Sequence, residues 1–354
     1  MGRPISVAAH RVDTAEAHPS TARRNFLKRA GGALAFSGLL PGLAYPQDHR
    51  LRQSTILVGA PAGGATDKLA RMYANGMPSF AETIIVENKG GAGGAIAYEY
   101  VKSRGAKDGS LMFLAPAYPI VISPHVVRDL PYDPIKDFVP IGIAARSLMT
   151  FGVGPAVPKD VKTLEDYLRW CKANPKLAIY AAQTGSAQHL MGTSFSLAAK
   201  VRLDNISYKG DAPAIQDVLG GHVPAIILPA AAVRPYYQSG QLRVLATAAA
   251  SRPRLMPDLP TFREQGFQDI VFQDWMGMFA AAGTQAAVVQ KVNDTMANVS
   301  RSAEGMEMLA TLGFEPETAT PEQFASVIKT DYQRYGDMIE RTGFREAFAQ
   351  AAGR

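Results

Sequence analysis

From residue 54 onward the apolar positions follow two rhythms in alternation. Short runs at 54–59, 83–87, 110–115 and 138–144 read as strands, and the stretches 66–80 and 94–103 between them repeat at helical spacing. In the first of these stretches Leu69, Met72, Tyr73 and Gly76 fall on one face at i, i+3, i+4, i+7. Strands separated by helices predict parallel βαβ units with right-handed crossovers. A second series follows, with helices at 163–173, 186–199, 212–219 and 230–238 and strands at 178–182, 204–207, 225–228 and 241–247. The segment 251–267, rich in proline and arginine, reads as an irregular surface connection. In the tail Val288, Val289, Val292, Met296 and Val299 share a helical face, and 321–341 is another amphipathic stretch. No solenoid-length repeat and no low-complexity tract is visible. Two α/β series of this size predict two lobes with a cleft between them, the C-terminal helices returning to complete the first lobe.

Composition adds a leader to this picture. With 47% hydrophobic and 19% charged residues, the 354-residue chain is an ordinary globular sequence with a sizeable core. Its net charge of +6 is unevenly placed: Arg3, Arg11, Arg23, Arg24, Lys28 and Arg29 stand against only Asp13 and Glu16 in residues 1–44. The rest of the chain is nearly neutral and has no basic run interleaved with aromatics, so a nucleic-acid partner is not indicated. Thr21-Ala22-Arg23-Arg24-Asn25-Phe26-Leu27-Lys28 resembles a twin-arginine export motif, and Gly42-Leu43-Ala44 offers a small-x-small cleavage site. From Ala30 to Leu43 run fourteen mildly apolar residues with four glycines and Pro41. That is too short for a bilayer, which needs about 20. The expectation is a signal peptide over 1–44, cleavage near Ala44 and a periplasmic mature protein. Cys171, the single cysteine, cannot form an internal disulfide and lies in the core pattern Leu164, Tyr167, Leu168, Cys171.

Three strand-to-helix turns carry the candidate chemistry. The first, Gly59 to Thr66, has the spacing G-x-x-x-x-G-x-T of a phosphate-cradling loop, but Ala65 stands where the lysine belongs. Helix-terminal amides and the helix dipole remain, and these suit a compact, singly charged group such as a carboxylate. The competing reading is a tight turn with no ligand. The second turn runs from Glu87 to Gly94; its Gly91-Ala92-Gly93 begins a dinucleotide fingerprint that Ile96 breaks. The third, Ala182 to His189, has Ser186 as a helix cap, with Thr184, Ser186 and Gln188 able to donate to another oxygen pair. Ser186 and His189 also allow an exported serine hydrolase, yet no G-x-S-x-G elbow surrounds the serine. After the leader only His49, His125, His189 and His222 remain, none at metal-ligand spacing. No cofactor, no metal and no enzymatic activity are expected.

These turns belong to a longer set of motifs. They include Tyr132-Asp133-Pro134-Ile135-Lys136-Asp137-Phe138, Tyr208-Lys209-Gly210-Asp211-Ala212-Pro213-Ala214, Leu219-Gly220-Gly221-His222-Val223 and Trp275-x-Gly277-x-Phe279-Ala280. In this order, over about 52–345, the chain resembles the Bug family of solute receptors of tripartite tricarboxylate transporters. The resemblance implies a type II-like periplasmic-binding-protein fold: two α/β lobes joined by two crossing strands, with a ligand cleft between them. It places lobe 1 at 45–146 plus 269–354 and lobe 2 at 147–268. It implies a small organic carboxylate held by Gly63, Gly64 and Ala65, with Asp67 at the loop–helix junction. From the opposite lobe come Thr184, Gly185, Ser186, Gln188, Tyr208, Lys209, Gly210 and Asp211. The implied partners are two integral membrane transporter subunits, the receptor itself acting as a monomer. The alternative within the same fold is a ligand sensor acting on a receptor kinase.

The chain departs from the family pattern twice. Ala60 replaces an aromatic residue of the first loop, and Leu228 stands where the family often has an aspartate. Both changes imply a roomier, more apolar pocket, which favours an aromatic or aliphatic carboxylate over an acidic amino acid or citrate.

Overall fold

The computed structural model describes residues 50–208 and 210–352. The leader and Lys209 lie outside the described residues, and with them the expected signal peptide and cleavage site.

In chain order the first lobe is built from β1 (Leu51–Val58), α1 (Ala65–Gly76), β2 (Ala81–Asn88), α2 (Ala95–Arg104) and β3 (Leu111–Pro116). Two single-turn helices follow, α3 (Tyr118–Val121) and α4 (Ser123–Val126). Strand β4 (Phe138–Val153) then crosses to α5 (Leu164–Ala173), β5 (Ile179–Ala182), α6 (Ala187–Ala199), β6 (Asp204–Ser207) and α7 (Asp211–Leu219). The second lobe ends with β7 (Ala225–Pro229), α8 (Ala230–Gln238) and β8 (Arg243–Thr247). Strand β9 (Gln273–Ala281) returns to the first lobe, followed by α9 (Ala286–Arg301), α10 (Ala303–Thr311), α11 (Pro321–Thr342) and α12 (Phe344–Ala352).

Local chemistry explains these boundaries. Thr163 caps α5 in a capping box with Asp166, and Thr320 does the same for α11 with Gln323, Pro321 taking the first helical position. Gly343 ends α11 with φ at 62°, a left-handed C-cap. From Ile56 to Val58 in β1 and from Met112 to Ala115 in β3 consecutive residues are apolar and buried, because helices cover both faces there. One layer, with Leu69, Tyr73, Val292 and Met296, packs α1 and α9 on Ile56, Val58, Met112 and Leu114. The other packs Tyr98, Phe324 and Ile339 against Phe113 and Phe279 and continues into the second lobe.

The strands run in the order β2-β1-β3-β9-β4-β7-β5-β6, with β8 on the other side of β4. Strand β4 is the link. Its residues 138–148 pair with β9, and 149–153 pair with β7 and β8. The expected strand over 138–144 is therefore the first half of a 16-residue element. The β1-β2-β3 and β5-β6-β7 sets repeat one arrangement, the first strand central and its two successors on either side. The irregular connection expected over 251–267 contains no helix or extended strand, only an isolated bridge between Thr247 and Thr261.

Candidate functional site

Strand direction fixes where the cleft lies. Strand β9 is antiparallel to β4 and to β3, so β1, β2 and β3 point the same way as β4, toward the second lobe. Strand β7 is antiparallel to β4, and β5 and β6 are parallel to their neighbours, so these three point back toward the first lobe. The turns at the C-terminal ends of all six strands thus look into one interlobe space, the position where open α/β sheets bind ligands. The end of β3, Pro116, lies level with Ala145 through the register of β9, and the end of β7, Pro229, pairs with Met149. Four residue steps along β4 separate the two rims, about 13 Å at the usual strand rise.

On the first lobe the turns adjoin each other. A Cβ on Gly59 would sit 2.6 Å from Gly94 Cα, and one on Gly90 about 4 Å from Ala60 and Pro61. Asn88 Nδ2 donates to Ala60 O at 3.0 Å and ties the second turn to the first. Gly63 is held at φ 82°, its amide donating to Asp67 Oδ2 at 2.9 Å. The buried Asp67 carboxylate also receives Arg71 Nε at 3.0 Å and faces Arg71 Nη2 at 3.0 Å. The Arg71 hydrogen bond, aided by the Gly63 amide, holds this carboxyl below its ordinary range. Asp67 therefore braces the loop from within, and the Gly63 amide is spent on it. Gly64 caps α1 without a side-chain partner, and the amides of Ala65 and Thr66 begin the helix with no carbonyl behind them. Gly63, Gly64 and Ala65 are exposed.

On the second lobe the turn after β5 is organised by a histidine. The Gly185 amide donates to His189 Nδ1 at 3.2 Å. His189 is buried, its ring meets Phe344 edge-on at 4.8 Å, and burial lowers its pKa to about 4. Ser186 Oγ donates to Gln183 O at 2.6 Å and accepts from His189 N at 3.3 Å. The serine is a helix cap, and the imidazole nitrogen that could have served as its base is occupied by a backbone amide. Thr184 Oγ1 accepts from Asn205 Nδ2 at 3.1 Å, which leaves its own proton for another acceptor. Gln188 is half-buried. Ala187 and Gln188 supply the free first-turn amides of α6.

The third contributor is the turn after β6. Tyr208 is not free for a ligand through its hydroxyl, which donates to Asp217 Oδ2 at 2.6 Å; burial and this carboxylate push its pKa to about 12. Gly210 sits at φ 111° and starts α7. Asp211, in the first turn of that helix, has its carboxyl raised by burial.

Two features alter the sequence reading. Leu228 is 1% exposed and belongs to the second lobe's core with Ile215, Val218 and Val233. It does not line the cleft, which removes one of the two grounds for a roomier apolar pocket. Asp274, missed in the sequence, sits on β9 opposite Ser147, beyond the end of β3 and so at cleft level. Its Oδ1 accepts the Ala117 amide at 3.2 Å. The available signal was a lone acid inside the apolar run from Ile270 to Ala281.

Fold and site together define a two-lobed solute-binding protein with anion-competent turns on both lips of its cleft. The family described as tripartite tricarboxylate transporter receptors matches residues 69–344, and the chain belongs to it. The protein BugT of Bordetella pertussis is 29% identical over 85% of this chain and 94% of its own. Among solved structures, the periplasmic binding protein BugD aligns with a TM-score of 0.71 at 30% identity, over 83% of this chain and 98% of its own. An R. palustris protein solved with adipate aligns at 0.74 and 28% identity, over 84% and 98%. No helix among the described residues is long and apolar enough to cross a membrane.

Proposed function

We propose that this chain is a monomeric periplasmic receptor. It captures a small organic carboxylate between its lobes and hands it to two integral membrane subunits of a tripartite transporter. The observation that carries this is the convergence of six strand ends on one cleft, with the unspent amides of α1 and α6 on opposite rims. One carboxylate lies on the Gly64–Ala65 amides of the first lobe. The rest of the ligand reaches the second lobe at Thr184, Ser186 and Gln188, with Gly210 at its side. Gly185 and Tyr208 shape that wall through His189 and Asp217, and Asp67 holds the first loop. The role is binding without catalysis, because the Ser186 hydroxyl and the His189 ring are both engaged elsewhere. The likeness to the adipate-bound protein supports an aliphatic acid as the first candidate.

The test is a thermal-shift screen of the mature protein against adipate, benzoate, aspartate and citrate. A shift with adipate or benzoate is the expected result. Stabilisation by aspartate or citrate alone would overturn the proposed ligand class, and no shift with any of the four would overturn the carboxylate reading.

A further inference from the structure

Asp274 is 9% exposed, and among the described residues no basic side chain hydrogen-bonds its carboxyl, which accepts the Ala117 amide. Side chains alternate along β9, and Met276, Met278 and Ala280 face the α1–α9 layer whereas Trp275 and Phe279 face α11. Asp274 shares the first set's parity. It therefore stands on the sheet face that carries α1, whose N-terminal amides open the same cleft. The charged groups nearby lie on the other face. Trp275 Nε1 donates to Asp331 Oδ2 at 3.0 Å, Arg334 pairs with Asp331 at 3.1 Å, and Arg146 is clasped by Glu317. On the same lobe Asp67 pairs with Arg71 on α1, and Asp211 begins α7 on the opposite lobe.

We infer that Asp274 makes ligand capture proton-linked: an organic anion entering the cleft takes up one proton from the solvent, and Asp274 holds it. The inference rests on the carboxylate reading above and adds to it the group that sets the pH dependence. An anion brought into the same low-dielectric space as an unpaired carboxylate disfavours the second negative charge, so the two share one proton. The free carboxyl is already poised for this: burial raises its pKa to about 7, with the Ala117 amide opposing the shift, the Asp331 carboxylate adding to it and Arg146 opposing it through the sheet. The Asp274 oxygen bonded to Ala117 also positions the β3–α3 turn, and the neutral acid keeps that bond.

Calorimetry with adipate tests the linkage, run at pH 7.5 in two buffers of different ionisation enthalpy, with benzoate, aspartate and citrate as further probes. Wild-type protein should show net proton uptake, and its affinity should fall by up to tenfold per pH unit above 7. Asp274→Asn keeps an oxygen for the Ala117 amide and should bind with no uptake and a flat pH profile. Asp211→Asn, the control on the opposite lobe, should retain the uptake. Binding without proton uptake, proton release on binding, or uptake abolished by Asp211→Asn but not by Asp274→Asn would each overturn the inference and leave the receptor assignment standing. If none of the four acids binds, the carboxylate reading falls first and this inference with it.

Discussion

The Cβ that Gly185 lacks would lie 2.2 Å from Cε2 of Phe348. The turn that starts α6 in the second lobe is thus in direct contact with the chain's last helix, α12, and its φ of 78° adds a second demand for glycine. Gly185→Ala is expected to destabilise the protein by about 2 kcal/mol or more, from backbone strain and overpacking together. In a Phe348→Ala background the overpacking disappears and the strain stays, so the same change should cost less. Urea unfolding of the four proteins in this cycle measures the coupling; a coupling of zero would mean that the two residues do not touch in solution.

Gly64 offers a cleaner probe of the anion site than its neighbour. Gly63 needs positive φ, whereas Gly64 sits at φ −71° with open space beyond Pro61 O at 3.5 Å. Gly64→Asp should fold normally and place a negative charge on the amides meant for the ligand. Losing charged hydrogen bonds of about 1.5–3 kcal/mol each predicts an affinity loss of roughly a hundredfold or more. Calorimetry reads it; unchanged affinity would remove the first loop from the site.

Asp274 also shapes stability. Its folded carboxyl holds a proton up to about pH 7, whereas the unfolded one releases it near 3.8. Between these values the folded state binds more protons, so stability falls as pH rises and levels off above 7. The full difference corresponds to about 4 kcal/mol as an upper bound. Asp274→Asn should therefore gain on wild type between pH 4.5 and pH 8 by a few kcal/mol in urea unfolding, the other groups being common to both proteins. A constant difference across that range would contradict the burial of this carboxyl.

Ser186→Ala separates a cap from a nucleophile. Loss of the Oγ acceptor for the His189 amide should cost about 1 kcal/mol of stability. Generic ester substrates should be turned over by neither protein above the uncatalysed rate. Wild-type turnover abolished by the substitution would make the chain a hydrolase.

Much of this fold is legible in the residues, and the failures have physical causes. Strands β1, β3, β5 and β7 announce themselves because their apolar runs end at glycines, prolines or helix caps. The second half of β4 is hidden by Arg146 and Ser147, which interrupt the apolar run where the strand leaves one sheet for the other. Strand β9 is missed because Gln273 and Asp274 open it with polar residues at the cleft. Helix α12 carries the core residue Phe344 but follows Gly343, where the sequence pattern ends. At the site, spacing reveals the three turns but not which amides are already spent. The bonds from Gly63 to Asp67 and from Gly185 to His189 depend on backbone angles that spacing does not encode.

The strand order has a consequence for synthesis. Strand β9 lies between β3 and β4, so a ribosome that has made residues 50–272 has produced a first sheet with its middle missing. The strands of the second sheet, β4 to β8, are all present by residue 247. That sheet can therefore assemble while the first still exposes the facing edges of β3 and β4, a target for wrong pairing until β9 fills the gap. The first sheet is then completed by one nine-residue strand, and the binding cleft, whose floor that strand forms, exists only once it has docked.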